Sequence, residues 1–291
     1  MAEGAASALM KREFSASPEV ADSVLARLLR QDRPLVMGVL NVTPDSFSDG
    51  GRFLDPQAAI AQAAHLVAEG ADILDIGAES TRPYGGAVRV TLDEERQRLD
   101  PVLAQIATLG IPVSIDTLKA AIAAWALAAG AAIVNDVWGL QRDPDMARVV
   151  AEHGAPVVVM HNRERADPAI DIVADVTAFF ARSLDIAARA GIARKNIVLD
   201  PGIGFGKTSE QSLTCIARLA EFRSFGLPLL VGASRKRFIA SLSPSQPGER
   251  LGGSLAAHLA AVQNGAAIVR VHDVGPTVQA LAVAAAIGRA R

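Results

Sequence analysis

The residues best suited to chemistry stand where short apolar runs of the sequence end. Along the chain these are Asn41, Asp75 with Glu79, Asp116, Asn135 with Asp136, His161, Asp200, Lys236, and Arg270 with His272. Carboxylates and amides can hydrogen-bond a heterocycle that carries several donors and acceptors, whereas Arg, Lys and His can hold an anion. A single Asp in such a position can simply cap the next helix. A whole series of polar residues favours a binding site.

The stretch LDPGIGFGKT, residues 199–208, is similar at first sight to a phosphate-binding P-loop. That motif requires a Gly five residues before Gly206, where the backbone approaches the phosphates closely. The residue at that position is Pro201, which has no N–H to donate and a fixed φ. The sequence therefore does not predict a nucleoside triphosphate site here.

Eight short runs rich in Val, Ile and Leu recur, at 34–41, 71–77, 111–116, 131–136, 155–161, 196–200, 227–234 and 266–273. They are too continuously apolar for half-exposed strands and are typical of parallel strands buried on both faces. Ala-rich segments with helical spacing separate them, and several end in Gly just before the next strand, as helices do. This pattern predicts an α/β protein, a (β/α)8 TIM barrel whose active site lies at the C-terminal ends of the strands.

The barrel prediction covers residues 34–291 as a single domain, because no change in composition marks a linker. Residues 1–33 precede the first strand, and we expect them to form a short N-terminal extension that caps the bottom of the barrel. Two segments rich in turn residues, 43–51 and 80–88, follow the first two strands. We expect them to be loops that close over substrates.

Composition narrows the possible partners and the compartment. The formal net charge of −2 over 291 residues gives no reason to expect nucleic acid or an anionic membrane as a partner. No apolar run reaches the length of a membrane span, and the N-terminal residues lack the apolar core of a secretion signal. We therefore expect a cytoplasmic protein. Cys215 is the single cysteine, which excludes an intramolecular disulfide.

Seven motifs resemble those of the dihydropteroate synthase family in order and spacing. They are MGVLNVTPDSFSDGG (37–51), DIGAESTRP (75–83), SIDT (114–117), IVNDV (133–137), LDPGIGFGK (199–207), LLVGASRK (229–236) and VRVHDV (269–274). The first motif is highly specific, and the resemblance covers nearly the whole chain. It implies a transferase of folate biosynthesis that joins 6-hydroxymethyl-7,8-dihydropterin pyrophosphate to p-aminobenzoate and releases pyrophosphate. It also implies that residues 199–207 belong to a pterin site.

The resemblance implies a role for each matching residue. The pterin ring would contact Asp116, Asn135, Asp200 and Lys236, and the pyrophosphate would contact Asn41, Thr81, Arg82, Arg270 and His272. p-Aminobenzoate would contact Phe47, Pro83, Phe205 and Arg237, and the residues acting at the reacting centre would be Phe47, Asp49, Thr81, Arg82 and Lys236. Mg²⁺ would be the cofactor, with Asn41 near it. The resemblance further implies a homodimer and an SN1-like mechanism in which pyrophosphate leaves before the amine attacks.

Three positions depart from the family pattern. Ala78 replaces a second Gly, Tyr84 stands where many members have Gly, and Arg237 stands where several members have a Ser that meets the p-aminobenzoate carboxylate. Arg237 either binds that carboxylate itself or points into solvent and leaves it to the helix N-terminus. The sequence favours neither arrangement.

Two other functions are compatible with the same barrel. A pterin-dependent methyltransferase would need no pyrophosphate site, so the SRK and RVHD elements and both signature loops argue against it. A paralogue that binds the pterin without turnover is disfavoured by the intact motif residues, although Tyr84 and Arg237 leave it open. Outside the site, we expect His161 to be a packed or supporting residue and Lys207 to be solvated.

Overall fold

The computed structural model describes residues 23–43, 55–79 and 90–290 of the chain. Eight parallel strands pair in chain order, and the last pairs with the first, which closes the sheet into a barrel. The strands are β1 (Leu35–Asn41), β2 (Ile73–Gly77), β3 (Val113–Asp116), β4 (Ile133–Asp136), β5 (Val157–Met160), β6 (Ile197–Asp200), β7 (Leu229–Val231) and β8 (Ala266–Val271).

Helices connect the strands and surround the barrel. Within the described residues they are α1 (Val24–Leu28), α2 (Pro56–Ala68), α3 (Leu92–Ile106), α4 (Ala120–Ala128), α5 (Met146–His153), α6 (Ile172–Ala190), α7 (Ser209–Ala217), α8 (Arg237–Leu242), α9 (Leu251–Gln263) and α10 (Val274–Arg289). Short 3₁₀ helices span Arg194–Asn196, Leu219–Phe225 and Pro247–Glu249. The predicted (β/α)8 barrel is confirmed. In the part of the chain that the structure describes, no helix is both long enough and apolar enough to cross a bilayer.

Several strands are shorter than the apolar runs that predicted them. The run at 131–136 begins two residues before β4, for example, because Ala131 is buried without being part of the strand. Continuous apolarity reports burial, whereas a strand also needs hydrogen-bonded neighbours. β7 is the shortest strand, and its register against β8 shifts between Leu229 and Leu230.

Side chains alternate along each strand between the barrel interior and the layer beneath the helices. One apolar cluster fills the lower interior and consists of Leu25, Leu35, Met37, Ile73, Ile133, Val158, Val198, Leu230 and Ile268. Alternate strand residues, such as Val36, Leu74 and Val134, belong to a larger cluster shared with the helices. A residue two positions after a member of the interior cluster therefore also points into the barrel, nearer its C-terminal end.

Residues that precede β1 contact the lower end of the barrel. Leu25 of α1 is 1% exposed and belongs to the interior cluster. Arg33 forms two ionic hydrogen bonds with Asp72, at 2.8 and 2.6 Å, and Asp72 also accepts one from the backbone N–H of Val36. These contacts join the described part of the N-terminal extension, residues 23–33, to the start of β1 and β2.

Candidate active site

A layer of polar side chains lies in the barrel above the apolar interior cluster. Asp75, Asn135, Asp200 and Arg270 each follow a member of that cluster by two positions on the same strand. The two-residue period of a strand consequently directs all four into the barrel at the C-terminal end. Asp116, the last residue of β3, also lies in this layer, as its hydrogen bond with Arg270 shows.

Four members of this layer form one hydrogen-bonded network. Asp75 Oδ2 accepts from Asn135 Nδ2 at 2.9 Å and from Arg270 Nε at 2.5 Å. Arg270 Nη2 donates to Asp116 Oδ2 at 2.9 Å. One guanidinium thus neutralises part of the charge on two buried carboxylates. The network joins β2, β3, β4 and β8 across the mouth of the barrel.

Several acceptors in this layer have no hydrogen-bond partner in the part of the chain that the structure describes. Among the described residues, nothing hydrogen-bonds the buried Oδ1 atoms of Asp75 and Asp116 or the buried hydroxyl of Ser114. Burial raises the pKa of Asp116 to about 7, the positive charge of Arg270 opposes that rise, and the charge of Asp75 adds to it. Unpaired buried acceptors are costly, so this end of the barrel is suited to a ligand that brings N–H donors.

Lys236 enters the pocket from the turn after β7. Arg235 has a left-handed φ of 58° and forms an ion pair with Asp273, with Nε 3.0 Å from Oδ2. Lys236 then donates from Nζ to the carbonyl of Ile203, and its Nζ lies 4.5 Å from the centre of the Phe205 ring. Burial lowers the pKa of Lys236 to about 7, against the opposing charge of Asp200. This ammonium is therefore a donor whose charge changes near neutral pH.

Asp200 is the last residue of β6 and precedes the loop that carries Ile203 and Phe205. Its Oδ1 accepts from the backbone N–H of Gly202 at 2.7 Å. Burial raises the pKa of Asp200, and Lys236 is the largest opposing influence. Gly202 has a φ of 66°, and a Cβ there would lie 2.0 Å from the carbonyl oxygen of His161. Only glycine permits this close approach of the loop to the end of β5.

Comparison with known proteins identifies the family to which this barrel belongs. Residues 37–272 match the pterin binding enzyme family. The chain belongs to the pterin-binding family. It is 47% identical over 245 residues to the dihydropteroate synthase of Bacillus subtilis (strain 168), covering 84% of this chain and 85% of that protein. The resemblance stated from the sequence motifs is confirmed.

Two solved structures of similar proteins extend this comparison to the fold. A dihydropteroate synthase from Clostridium difficile, crystallised in the presence of pteroic acid, is 45% identical with a TM-score of 0.85, over 89% of this chain and 98% of that one. The Xanthomonas albilineans dihydropteroate synthase with 4-aminobenzoic acid is 45% identical with a TM-score of 0.84, over 88% and 94% of the two chains.

Three polar residues near strand ends of this pterin-binding barrel have roles outside the pocket. Asp136 lies beyond the inward-facing Asn135 and accepts hydrogen bonds from the backbone N–H groups of Trp138 and Leu140. Glu79 accepts from Lys119 Nζ at 2.6 Å. His161 follows the last residue of β5 and contacts Asp175 of α6, with 3.0 Å between Nε2 and Oδ2. His161 is thus a packed, supporting residue, as predicted.

The prediction of a solvated Lys207 is wrong. Its side chain is 2% exposed, and Nζ donates to the carbonyls of Gly202 and Phe205 at 3.0 and 3.1 Å. Nζ also lies 2.6 Å from Nδ1 of His161, and burial lowers the pKa of Lys207 to about 8. A compact glycine-rich loop directs its carbonyls inward, and a buried ammonium satisfies them, which sequence pattern alone does not reveal.

The remaining predicted contacts of a pterin-binding enzyme are placed as follows. His272 follows β8, and its Nδ1 lies 3.0 Å from the Ser234 hydroxyl. Arg237 is exposed at the first position of α8. Phe47, Asp49, Thr81, Arg82, Pro83 and Tyr84 lie outside the described residues. Arg270 is placed against carboxylates, so an anion would compete with Asp75 and Asp116 for its guanidinium.

Asn41 ends β1 and is half-buried, with a side-chain oxygen of the kind that Mg²⁺ accepts. In residues 23–43, 55–79 and 90–290, no three His, Cys, Asp or Glu side chains group closely enough to hold a metal ion. Mg²⁺ usually takes few protein ligands and completes its shell with water and substrate phosphates. The donor set thus fits a metal that arrives with a phosphorylated substrate.

Sequence reasoning noted Asp75 at a strand end but assigned it no role. Its buried side chain nevertheless contacts two predicted substrate-binding residues, Asn135 and Arg270. A signal was present, because Asp75 follows Ile73 by two positions as Asn135 follows Ile133. That shared spacing places both side chains in the same layer of the barrel.

Proposed function

We propose that this member of the pterin-binding family is a dihydropteroate synthase. It joins 6-hydroxymethyl-7,8-dihydropterin pyrophosphate to p-aminobenzoate and releases pyrophosphate. The observation that carries the proposal is the polar layer at the C-terminal end of the barrel, in which the buried Oδ1 of Asp116 has no hydrogen-bond partner among the described residues. The similar proteins are dihydropteroate synthases, and two of them were crystallised with pteroic acid or 4-aminobenzoic acid.

The pterin ring fits the donors and acceptors of this layer. A 2-amino-4-oxo pterin offers N–H groups along one edge and a carbonyl oxygen on another. Asp116, Asn135 and Asp200 supply acceptor oxygens for the N–H edge, and Lys236 supplies a donor. A site that satisfies buried polar groups only with the matching ring discriminates strongly against analogues that lack those groups.

The pyrophosphate group would lie above the pterin, near the residues at the ends of β8 and β1. Arg270 and His272 can donate hydrogen bonds to phosphate oxygens, and Asn41 can hold Mg²⁺. When bound, the metal would neutralise charge that develops on the departing pyrophosphate. Thr81 and Arg82, in the loop after β2, are assigned to the same group by the family resemblance.

p-Aminobenzoate would enter beside Phe205, whose ring lies next to the Lys236 ammonium. Phe47 and Pro83 are assigned to the other walls of this pocket. Arg237, which is exposed one residue beyond Lys236, is the basic residue proposed to meet the carboxylate. This arrangement directs the amine of p-aminobenzoate inward and its carboxylate outward.

The proposed reaction begins by separating a pterin cation from the pyrophosphate anion. The bond between the pterin methylene carbon and pyrophosphate oxygen breaks first, and both electrons leave with pyrophosphate. The cation that remains is delocalised into the pterin, where Asp116, Asp200 and Asp49 lower its energy electrostatically. The amine then forms the carbon–nitrogen bond with its lone pair and loses a proton to water. No covalent enzyme intermediate is required.

We further propose that the protein forms a homodimer and that it is located in the cytoplasm. Light scattering on the purified chain tests the first, since a single species of twice the chain mass is expected. Fractionation of cells that express the full chain tests the second. A monomer, or recovery with membranes, would contradict these parts of the proposal and leave the chemistry unaffected.

The decisive experiment measures pyrophosphate release from the pterin pyrophosphate with Mg²⁺, with and without p-aminobenzoate. We expect release that depends on p-aminobenzoate and yields dihydropteroate. Tight binding of the pterin pyrophosphate without release would instead indicate an inactive paralogue. No binding of the pyrophosphorylated pterin, combined with binding of a methylated folate, would indicate a methyltransferase.

A further inference from the structure

Asp75 lies in the polar layer of the barrel but has no role in the contacts assigned above. Its side chain is 0% exposed, and its Oδ2 accepts hydrogen bonds from both Asn135 and Arg270. These partners come from different strands, and both are predicted to contact the first substrate. A buried carboxylate shared between them can control the orientation of both.

The bond to Asp75 decides which end of the Asn135 amide faces the pocket. A carboxylate oxygen only accepts hydrogen bonds, so the amide must turn its NH₂ group toward Asp75 Oδ2, 2.9 Å away. The opposite orientation would set two acceptors against each other. Oδ1 of Asn135 therefore faces away from Asp75, where it can accept from an N–H of the ligand. Without a charged partner, the amide would lose this strict preference.

The second bond to Asp75 holds the Nε edge of the Arg270 guanidinium. With that edge held at 2.5 Å, the Nη2 group reaches Asp116 Oδ2 at 2.9 Å. Without Asp75, Arg270 would pair with Asp116 alone and compete with the ligand for that carboxylate. Both consequences would weaken the binding of the same substrate.

We propose that Asp75 is a positioning residue for the pterin substrate, which it need not touch. Its carboxylate sets the acceptor face of Asn135 and keeps Arg270 shared between two carboxylates. This inference rests on the proposed function, because it takes Asn135 and Asp116 to be pterin contacts.

The first test compares Asp75→Asn with Asp72→Asn. Asp72 is a matched control: it is also a buried carboxylate paired with an arginine, but it lies just before β2, at the end of that strand farther from the polar layer. For Asp75→Asn, we expect Kd and KM for the pterin pyrophosphate to rise about tenfold to a hundredfold, with little change in KM for p-aminobenzoate. Asp72→Asn should retain the wild-type Kd. Unchanged pterin affinity in Asp75→Asn, or an equal loss in both variants, would overturn the proposal.

A second test exchanges the hydrogen-bond donor and acceptor between positions 75 and 135. It remains informative if the single variant Asp75→Asn folds poorly. Asn135→Asp sets two carboxylates against each other and should bind the pterin weakly. In the double variant Asp75→Asn with Asn135→Asp, the amide at position 75 can donate to the carboxylate at 135, whose other oxygen faces the pocket. Arg270 Nε then loses its acceptor at position 75, and Arg270 keeps only its bond to Asp116, so the rescue is expected to be partial. We expect the double variant to bind about tenfold tighter than Asn135→Asp, from one restored buried hydrogen bond.

Calorimetry with the pterin pyrophosphate measures this rescue, and the wild-type protein is measured first. No binding to the wild type would contradict the proposed function itself. Binding to the wild type, with the two substitutions merely additive or worse, would overturn the positioning role of Asp75 alone.

Discussion

At the residue scale, the pocket pairs a carboxyl and an ammonium whose pKa values both move toward neutrality. Burial raises the pKa of Asp116 to about 7 and lowers that of Lys236 to about 7. The pterin requires opposite states of the two groups, because an ionised Asp116 accepts its N–H groups and a protonated Lys236 donates to it. The two groups therefore limit activity from opposite sides of neutral pH.

We expect the pH profile of kcat/KM for the pterin pyrophosphate to be bell-shaped, with both limbs near neutrality. Activity should fall below pH 7 as Asp116 takes up a proton and above it as Lys236 loses one. Lys236→Arg keeps a positive charge at all accessible pH values, so the alkaline limb should disappear while the acid limb stays. An alkaline limb that persists in Lys236→Arg would assign it to another group.

At the element scale, the loop after β6 is held in place by the buried side chain of Lys207 and by its close contact with the end of β5. Lys207 donates to two carbonyls of the loop, and Gly202 lies against the carbonyl of His161. The loop carries Ile203, whose carbonyl accepts from Lys236, and Phe205, whose ring contacts it. A shift of this loop therefore reaches both proposed substrate pockets.

We expect Gly202→Ala to lower both stability and pterin affinity, because the added Cβ would lie 2.0 Å from the His161 carbonyl oxygen. Gly226→Ala is the matched control, with a similar φ of 63° and no atom within 4 Å of the added Cβ. The control should lose only about 1–2 kcal/mol in free energy of unfolding, the cost of a left-handed alanine, and keep its pterin affinity. Urea unfolding and calorimetry measure both quantities. Equal losses of stability and affinity in the two variants would show that the close approach has no special effect.

At the scale of the whole molecule, the residues that stabilise the barrel and the residues proposed to bind substrate lie at opposite ends of the barrel axis. The apolar interior cluster and the Arg33–Asp72 pair occupy the lower end, whereas the polar layer occupies the upper end. We propose that the N-terminal extension, residues 1–33, serves as the lower cap through α1. Changes at the lower end should then affect folding without affecting turnover.

Leu25→Ala tests this separation, because it removes a 1% exposed side chain from the interior cluster. We expect a loss of about 2–5 kcal/mol in free energy of unfolding, as for other buried leucines, with unchanged kcat at a temperature where the variant is folded. Leu242→Ala, at a leucine that is 69% exposed, should change stability by less than about 0.5 kcal/mol. If Leu25→Ala were as stable as wild type, the lower cap would have no stabilising role.

Much of the fold and the membership of the polar layer were accessible from the sequence. Strand identity follows from short apolar runs, and the inward direction of Asp75, Asn135 and Arg270 follows from the two-residue period. Both properties are local, so a single sequence carries them. For Asp116, Asn135, Asp200 and Lys236, the family motifs supplied roles that the structure makes chemically reasonable. The pH profile tests the roles of Asp116 and Lys236, and the Asn135 variants test that of Asn135.

Which of these groups form hydrogen bonds with one another depends on the tertiary structure. Arg270 and Asp75 are 195 residues apart in the chain, and their hydrogen bond exists only because β8 closes the barrel against β1 and β1 pairs with β2. Burial of Lys207 likewise depends on the folding of its own loop against the end of β5. Residue type and strand period are properties of the local sequence. Hydrogen-bond partners and degree of burial depend instead on how segments that are distant in the chain pack against one another.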